Sequence, residues 1–506
     1  VTAQATTDEL YDLVVIGGGI NGTGIAADAA GRGLKVLLAE AGDLGGATSS
    51  ASSKLIHGGL RYLEQFHFRL VREALAEREI LLAKAPHIVR PLRFILPHVD
   101  GMRPAWMLRI GLFLYDHLAS RRTLGASTGL DLSRDAAGRP LAEHLKRGFA
   151  YWDCQVDDAR LVVLNAIAAA EAGADIRTRT PVSRFSVNQD LWTIALGKPG
   201  AVETVRARAL VNAAGPWVAS VAKLSQPHYS ASLPRVRLVK GSHIVVPRLE
   251  GANEAYLFQN SDGRVVFALP FEAAFTLIGT TDESFQGDPK DAHISDSEID
   301  YLLDLANRFF RNPITREMIV WSFAGVRPLD DDGAGDPSAV SRDYRLHLDM
   351  SAGPPLLHVI GGKITTYRRL AESALAKLAP HLPPMQPAWT ASRPLPGGDV
   401  GPGGFDAWFD DLTHRFPGVP KSDLRRFAKR YGTRVTQMLD AAKTLNDLGA
   451  DLGFGLRQRE VAYLKQKEWA RTAEDVLWRR TKTGLHIPRA HLPLVSEAIE
   501  TCLDAT

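Results

Sequence analysis

One stretch, YDLVVIGGGINGTGIAADAAGRGLKVLLAE at residues 11–40, restricts the fold of this chain more than any other. Residues 13–16 form a short apolar, β-branched run, the pattern of a strand buried in a parallel sheet. The run leads into Gly17, Gly19 and Gly22, spaced GxGxxG. In that spacing the first glycine permits a tight turn and the second lets the backbone approach a pyrophosphate. The third lets the following helix pack on the strand. The helix N-terminus then aims its free N–H groups at the phosphates. The Gly-Arg-Gly at 31–33 ends the helix, residues 34–39 form the next strand, and Glu40 closes it. A carboxylate there can accept both ribose hydroxyls of an adenosine. The spacing predicts an NAD or FAD site; Glu40 in place of an arginine disfavours NADP.

Two later segments bear on which cofactor. ARALVNAAGPW at 207–217 reads as an apolar strand ending in small residues beside Gly215 and Pro216. LLHVIGGKITTYRRLAESAL at 356–375 reads as a strand, a Gly361-Gly362 turn and a helix start. A second glycine-rich helix N-terminus, so late in the chain, can meet the far end of a long cofactor. Thr365 and Thr366 can hydrogen-bond there, and the local dipole can stabilise charge on a reduced isoalloxazine. This arrangement favours FAD over NAD. The motifs supply phosphate and ribose contacts and no tether, so the flavin is expected to be noncovalent.

Size and composition set the outer limits. A chain of 506 residues, 45% apolar and 23% charged, can bury about two to four globular domains. The net charge of +3 argues against a dedicated nucleic-acid binder while leaving room for local basic patches. Cys154 and Cys502 lack CxxC spacing and read as buried or idle thiols in a reducing compartment. The opening VTAQATTDEL carries no secretory pattern, and no run of about 18 apolar residues occurs, so no spanning helix is expected. Neither a metal-ligand cluster nor an internal repeat stands out.

After Glu40 comes AGDLGGATSSASSKLIHGGLRYLE. Its small residues, among them Ser49 and Ser53, would let backbone and hydroxyls lie against the cofactor. At this point the chain resembles the FAD-dependent glycerol-3-phosphate dehydrogenases, within the amino-acid-oxidase-like flavoproteins. The motifs IGGGINGTGIAADAAGRGL, SSKLIHGGLRYLE, KRGFAYWDCQVDDARL, VNAAGPWV, VKGSHIVVP, IGTTDE, FAGVRPL, SRDY, GGKITTYR and EWARTAEDVLWRRT carry the resemblance. It covers nearly the whole chain from Leu10; residues 181–200 match nothing and are expected on the solvent side.

The resemblance implies an α/β fold. A Rossmann-like FAD-binding domain would occupy residues 1–88, 151–235 and 321–386. An interleaved β-sheet substrate domain would occupy 89–150 and 236–320, with a C-terminal helical domain at 387–506. It puts Lys54 and His57 on the cofactor side and Arg61, Tyr62, Thr280 and Arg342 around substrate. His243, Arg327 and Lys363 take the catalytic roles. The chemistry asks for such types. Hydride leaves C2 of the substrate, the hydroxyl proton needs a base such as a neutral histidine, and guanidinium groups match a phosphate bidentately. Arg327 or Lys363 can stabilise developing alkoxide charge. An ion pair with a neighbouring aspartate is the competing reading of Arg342, and the Asp-Gly-rich loop before it reads as a mobile lid or as a plain solvated loop.

The expected activity is oxidation of sn-glycerol 3-phosphate to dihydroxyacetone phosphate with transfer of electrons to a membrane quinone. The competing readings are a soluble oxidase using oxygen, a flavin-binding protein without turnover, and an amino-acid oxidase. The density of basic groups disfavours the last. RPAWMLRIGLFLYDHLASRR at 103–122, aromatic and basic, tips the acceptor toward quinone, because it can lie in a lipid interface. A core helix of the substrate domain is its alternative. The implied location is cytoplasmic, peripherally attached to the inner face of the cell membrane. The basic C-terminal helices would serve that face, a homodimer contact or solubility.

Overall fold

The computed structural model describes residues 5–63, 66–99, 102–198, 200–225, 235–260, 264–331 and 343–505. Arg342 and the acidic, glycine-rich segment before it lie outside the described residues, as does the side chain of Arg61.

Two β-sheets organise the first three-quarters of the chain. The first runs in the order Arg345–Asp349, Leu356–Ile360, Glu203–Asn212, Ala5–Ile16, Val36–Ala39, Asp175–Arg177. Its centre is parallel, with Val14 beside Leu37 on one side and Leu210 on the other. Leu13, Val14 and Val15 are fully buried, which explains the unbroken apolar run. Helix Ile20–Gly31 leaves this strand and packs against helices Asp158–Glu171 and Tyr367–Leu378. Residues 182–196 are only partly on the solvent side. They form the hairpin Val182–Asn188/Leu191–Leu196, which extends the sheet antiparallel to Glu203–Asn212. Trp192 anchors it, fully buried and donating from Nε1 to the Pro355 carbonyl at 2.9 Å.

The second sheet runs Glu283–Ser284, Val236–Pro247, Phe275–Gly279, Val265–Phe271, Ala255–Gln259, Val89–Pro97, Arg147–Val156, Leu55–Ile56. Strand Trp321–Asp330 pairs antiparallel with Val236–Pro247 over its whole length. That strand therefore belongs to the second sheet, and a return to the cofactor domain at 321 is too early. Helix Asp296–Phe309 packs on this sheet behind a Ser295/Glu298 capping box. Glu298, itself buried, accepts from Thr281 Oγ1 at 2.6 Å and Ser242 Oγ at 2.8 Å, and pairs with Lys240 at 2.9 Å. The helix start thus fixes the strand end that carries Thr280.

From Gly404 the chain is largely helical, with its own core around Phe409, Phe427, Tyr431 and Leu464. One small two-stranded ribbon, Asp451–Gly453 with Leu456–Arg457, interrupts it. The aromatic stretch contains helix Ala105–His117, which buries Leu112 and Tyr115 but exposes Trp106, Ile110 and Phe113 by more than half. A simple core helix does not fit that pattern.

Candidate active site

A cavity of about 900 Å³ lies between the two sheets, at the upper end of the range for small-molecule sites. At one end stands the glycine turn. Gly17 has φ of +110°, and a Cβ on Gly22 would lie 1.9 Å from the Gly17 carbonyl oxygen. Both positions therefore need glycine, one for its backbone conformation and one for contact between helix and turn. Gly17 and Gly19 line the cavity while Gly22 lies beneath them. Ser49 Oγ accepts from the Ile20 N–H at 3.0 Å, which sets the hydroxyl at the helix N-terminus.

Glu40 accepts from the Gly18 N–H at 2.5 Å and the Gly42 N–H at 2.7 Å. Burial pushes its carboxyl above the usual range while these two N–H groups pull against it. The second glycine-rich loop meets the first through Asn21, whose Nδ2 donates to the Gly361 carbonyl at 3.1 Å. Thr365 Oγ1 accepts from the His57 N–H at 3.2 Å, joining that loop to the segment after the serine-rich stretch. Gly215, Gly361, Gly362, Thr365 and Ser53 all line the cavity. The two glycine cradles, the helix N-terminus and the acidic residue at a strand end fit an extended dinucleotide with a planar ring at its far end.

At that far end Tyr62, His57, Thr280, Arg327 and Lys363 share the wall. Arg327 donates from Nη1 to Asp282 Oδ1 at 2.6 Å and from Nη2 to Thr280 Oγ1 at 3.2 Å. It sits within strand Trp321–Asp330, not on a turn, so the sheet holds its direction. Gly241 lies inside strand Val236–Pro247. A Cβ there would stand 2.5 Å from Arg327 Nη2, so the missing side chain makes room for the guanidinium. Lys363 Nζ lies 3.6 Å from the centre of the Tyr62 ring, a cation–π contact.

Two residues expected at the site lie behind its wall. Lys54 is buried; its Nζ pairs with Asp158 at 2.8 Å and donates to the Ser50 carbonyl at 2.9 Å. Its side chain holds the serine-rich loop in place and does not face the cofactor cavity. His243 is 1% exposed, stacked on Phe323 at 4.8 Å. Its Nε2 is 2.9 Å from Ser53 Oγ, so it faces the cavity through that hydroxyl. Burial first, then the charges of Arg327 and Lys54, hold its pKa well below the usual histidine range. His57 is the imidazole that lines the cavity. Sequence reasoning missed Asp282, Asn21, Lys290 and Arg479, all but Asp282 in the cavity wall. The Asn inside the glycine motif was a signal in plain view; Arg479 lies inside the EWARTAEDVLWRRT motif, but nothing in that motif says it reaches the cavity.

Comparisons with known proteins agree with this geometry. Residues 12–368 match the family described as FAD dependent oxidoreductase, and residues 388–505 match the C-terminal domain of alpha-glycerophosphate oxidase. The chain is 54% identical to a glycerol-3-phosphate dehydrogenase of Pseudomonas aeruginosa, covering 96% of this chain and 94% of that one. It is 51% identical to the aerobic glycerol-3-phosphate dehydrogenase of Escherichia coli, covering 94% and 95%. It is 50% identical to the D-erythritol 1-phosphate dehydrogenase of Brucella abortus, covering 95% and 96%. Its fold matches the glycerol-3-phosphate dehydrogenase of Bacillus halodurans, solved with FAD, with a TM-score of 0.76, 27% identity and coverage of 98% and 95%. The glycine cradles, the shared cavity and these matches together make the chain a member of the FAD-dependent oxidoreductase family, with FAD as its cofactor.

Proposed function

We propose that this enzyme oxidises sn-glycerol 3-phosphate to dihydroxyacetone phosphate and passes the electrons to a membrane quinone. The observation that carries the reading is the meeting of Arg327, Lys363, His57, Tyr62 and Thr280 at one end of a cavity whose other end is the dinucleotide cradle. Two fixed cations suit a phosphate dianion better than a single carboxylate. The names of the P. aeruginosa and E. coli relatives support the same substrate. Bound FAD supplies the hydride acceptor.

The protein's own groups bind, orient and move the proton. Arg327, set by Asp282 and Thr280, presents its guanidinium to the phosphate or to the C2 oxygen as charge develops there. Lys363, over the Tyr62 ring, adds a second donor. His57 takes the C2 hydroxyl proton, in place of the deeper His243; Ser53 links His243 to the same space. Arg61 and Arg342 complete the phosphate site in this reading.

Among the described residues no helix is long and apolar enough to cross a membrane. The exposed face of helix Ala105–His117 supports peripheral attachment, which would give the reduced flavin access to a lipid-soluble acceptor. The Brucella relative favours a second reading, a four-carbon polyol phosphate as substrate.

One assay separates these. Purified FAD-loaded enzyme is given glycerol 3-phosphate or D-erythritol 1-phosphate, each with a soluble quinone analogue or with oxygen alone. Fast turnover of glycerol 3-phosphate with the quinone analogue is expected. Preference for erythritol 1-phosphate would replace the substrate, rapid peroxide formation would replace the acceptor, and no flavin reduction by either would leave a non-catalytic flavoprotein.

A further inference from the structure

The C-terminal unit reaches the cofactor cavity with Glu474 and Arg479, and the buried Arg480 and Lys482 stand just behind them in sequence. The three basic residues follow or end a six-residue π-helical turn, Asp475–Arg480, an uncommon geometry that often marks functional positions. Arg480 is fully buried and grips Asp43 with both terminal nitrogens, each at 2.7 Å. Arg479 reaches the same carboxylate from Nε at 2.6 Å, with its other nitrogens on Glu474 at 2.9 Å and Asp475 at 2.6 Å. Three of its five N–H groups are used in this way, and its guanidinium lines the cavity together with Glu474 and Asp43.

Asp43 sits three residues beyond Glu40, on the loop that supplies the Gly42 N–H to the Glu40 carboxylate. That loop also returns to the glycine turn, where the Gly45 N–H donates to the Gly18 carbonyl at 3.0 Å. Lys482 pairs with Asp157, which caps helix Asp158–Glu171. The neighbouring Asp158 holds Lys54 and accepts from Ser52 Oγ at 2.8 Å. One segment, more than four hundred residues away in sequence, therefore fixes the loops on both flanks of the cavity.

We propose that Arg479, with Arg480 and Lys482, forms a clamp by which the C-terminal unit closes the cofactor cavity and sets how long FAD stays bound. Arg479, its charge compensated by Asp43, Glu474 and Asp475, stands in the wall at the Glu40–Asp43 end of the cradle, with two N–H groups beyond those three contacts to offer a dinucleotide. Arg480 and Lys482 act as positioning residues through Asp43 and Asp157. This rests on FAD as cofactor and is independent of the substrate and of the electron acceptor.

The test is the rate at which FAD leaves the holoenzyme, followed as flavin fluorescence recovers on dilution, beside the thermal midpoint of the apoprotein. Arg479→Gln, which also leaves the buried Asp43 and Asp475 short of a partner, should release FAD at least tenfold faster, well beyond what its fall in apoprotein midpoint accounts for, and Arg479→Lys should recover much of the retention. Glu474→Gln, at an exposed carboxylate and with little risk to folding, should release FAD about threefold faster by freeing the Arg479 side chain. Release within twofold of wild type in Arg479→Gln and Glu474→Gln would overturn the clamp. So would faster release that appears only with a matching loss of apoprotein stability, since that would make the contacts architectural.

Discussion

Replacing Arg327 with methionine keeps an unbranched apolar stem and removes the guanidinium with its charge. Arg327 is bonded to Asp282 at 2.6 Å and Thr280 at 3.2 Å, and its side chain is one-quarter exposed, so it is fixed without being sealed off. A charge-assisted hydrogen bond of this kind contributes about 1.5–3 kcal/mol. A fixed donor facing developing oxyanion charge contributes about 2.7–4 kcal/mol. Taking about 3 kcal/mol, and tenfold per 1.36 kcal/mol, kcat/KM should fall by about two orders of magnitude. The dinucleotide cradle lies at the other end of the cavity, so the flavin content should stay near one per chain. Arg327→Lys keeps the charge but loses the fork that reaches both partners, and should fall in between. The assay is steady-state reduction of a quinone analogue by glycerol 3-phosphate, with flavin absorbance as the control for loading. A fully flavinated Arg327→Met enzyme with kcat/KM within threefold of wild type would remove Arg327 from the site.

Gly22→Ala sets a methyl group 1.9 Å from the Gly17 carbonyl oxygen, so the variant should purify without bound FAD or fail to fold; a normal yellow enzyme would refute the packing argument. Stability should fall with pH below about 6.5. Burial, with the nearby Arg160 charge, holds His87 down to about 3, and burial, with His347, holds His358 down to about 4. Between those values and 6.5 the unfolded chain binds protons that the folded chain refuses, so unfolding free energy rises with pH in that window. At pH 5 each histidine contributes about 2 kcal/mol of destabilisation relative to pH 7, at 1.36 kcal/mol per unit. Urea unfolding at pH 7 and pH 5 should show a smaller loss in His87→Gln than in wild type; equal losses would contradict this. Wild-type protein should cosediment with anionic liposomes, and Trp106→Ser/Phe113→Ser should bind at least about tenfold more weakly, since each exposed ring brings about 1.5–3 kcal/mol of burial. Equal binding would move the lipid contact elsewhere or abolish it.

Local patterns were enough for the first glycine turn, its flanking strand and helix, Glu40, and the second glycine turn at Gly361. Each depends on neighbours within a few residues, where spacing translates directly into geometry. The resemblance implied a substrate-domain sheet, but not that the strand Trp321–Asp330 joins it, because pairing with Val236–Pro247 is a contact across some eighty residues. The same limit hid the hairpin at 182–196, whose buried Trp192 has its partner at Pro355. Side-chain direction was settled only in three dimensions. Lys54 looked like a cofactor cation until Asp158, in another helix, proved to hold it away from the cavity. His243 looked like the base until Phe323 and Ser53 closed over it, leaving His57 in the wall. Asp282 and Arg479 reach their partners from distant segments, and a one-dimensional pattern carries no record of such approaches. Sequence alone determined the cofactor-binding turns, because backbone conformation and close packing at a turn depend on residue type and spacing. The tertiary structure decided which charges face the cavity and which stay buried behind it, because a charge is placed by the partners that compensate its desolvation, and here those partners lie far away along the chain.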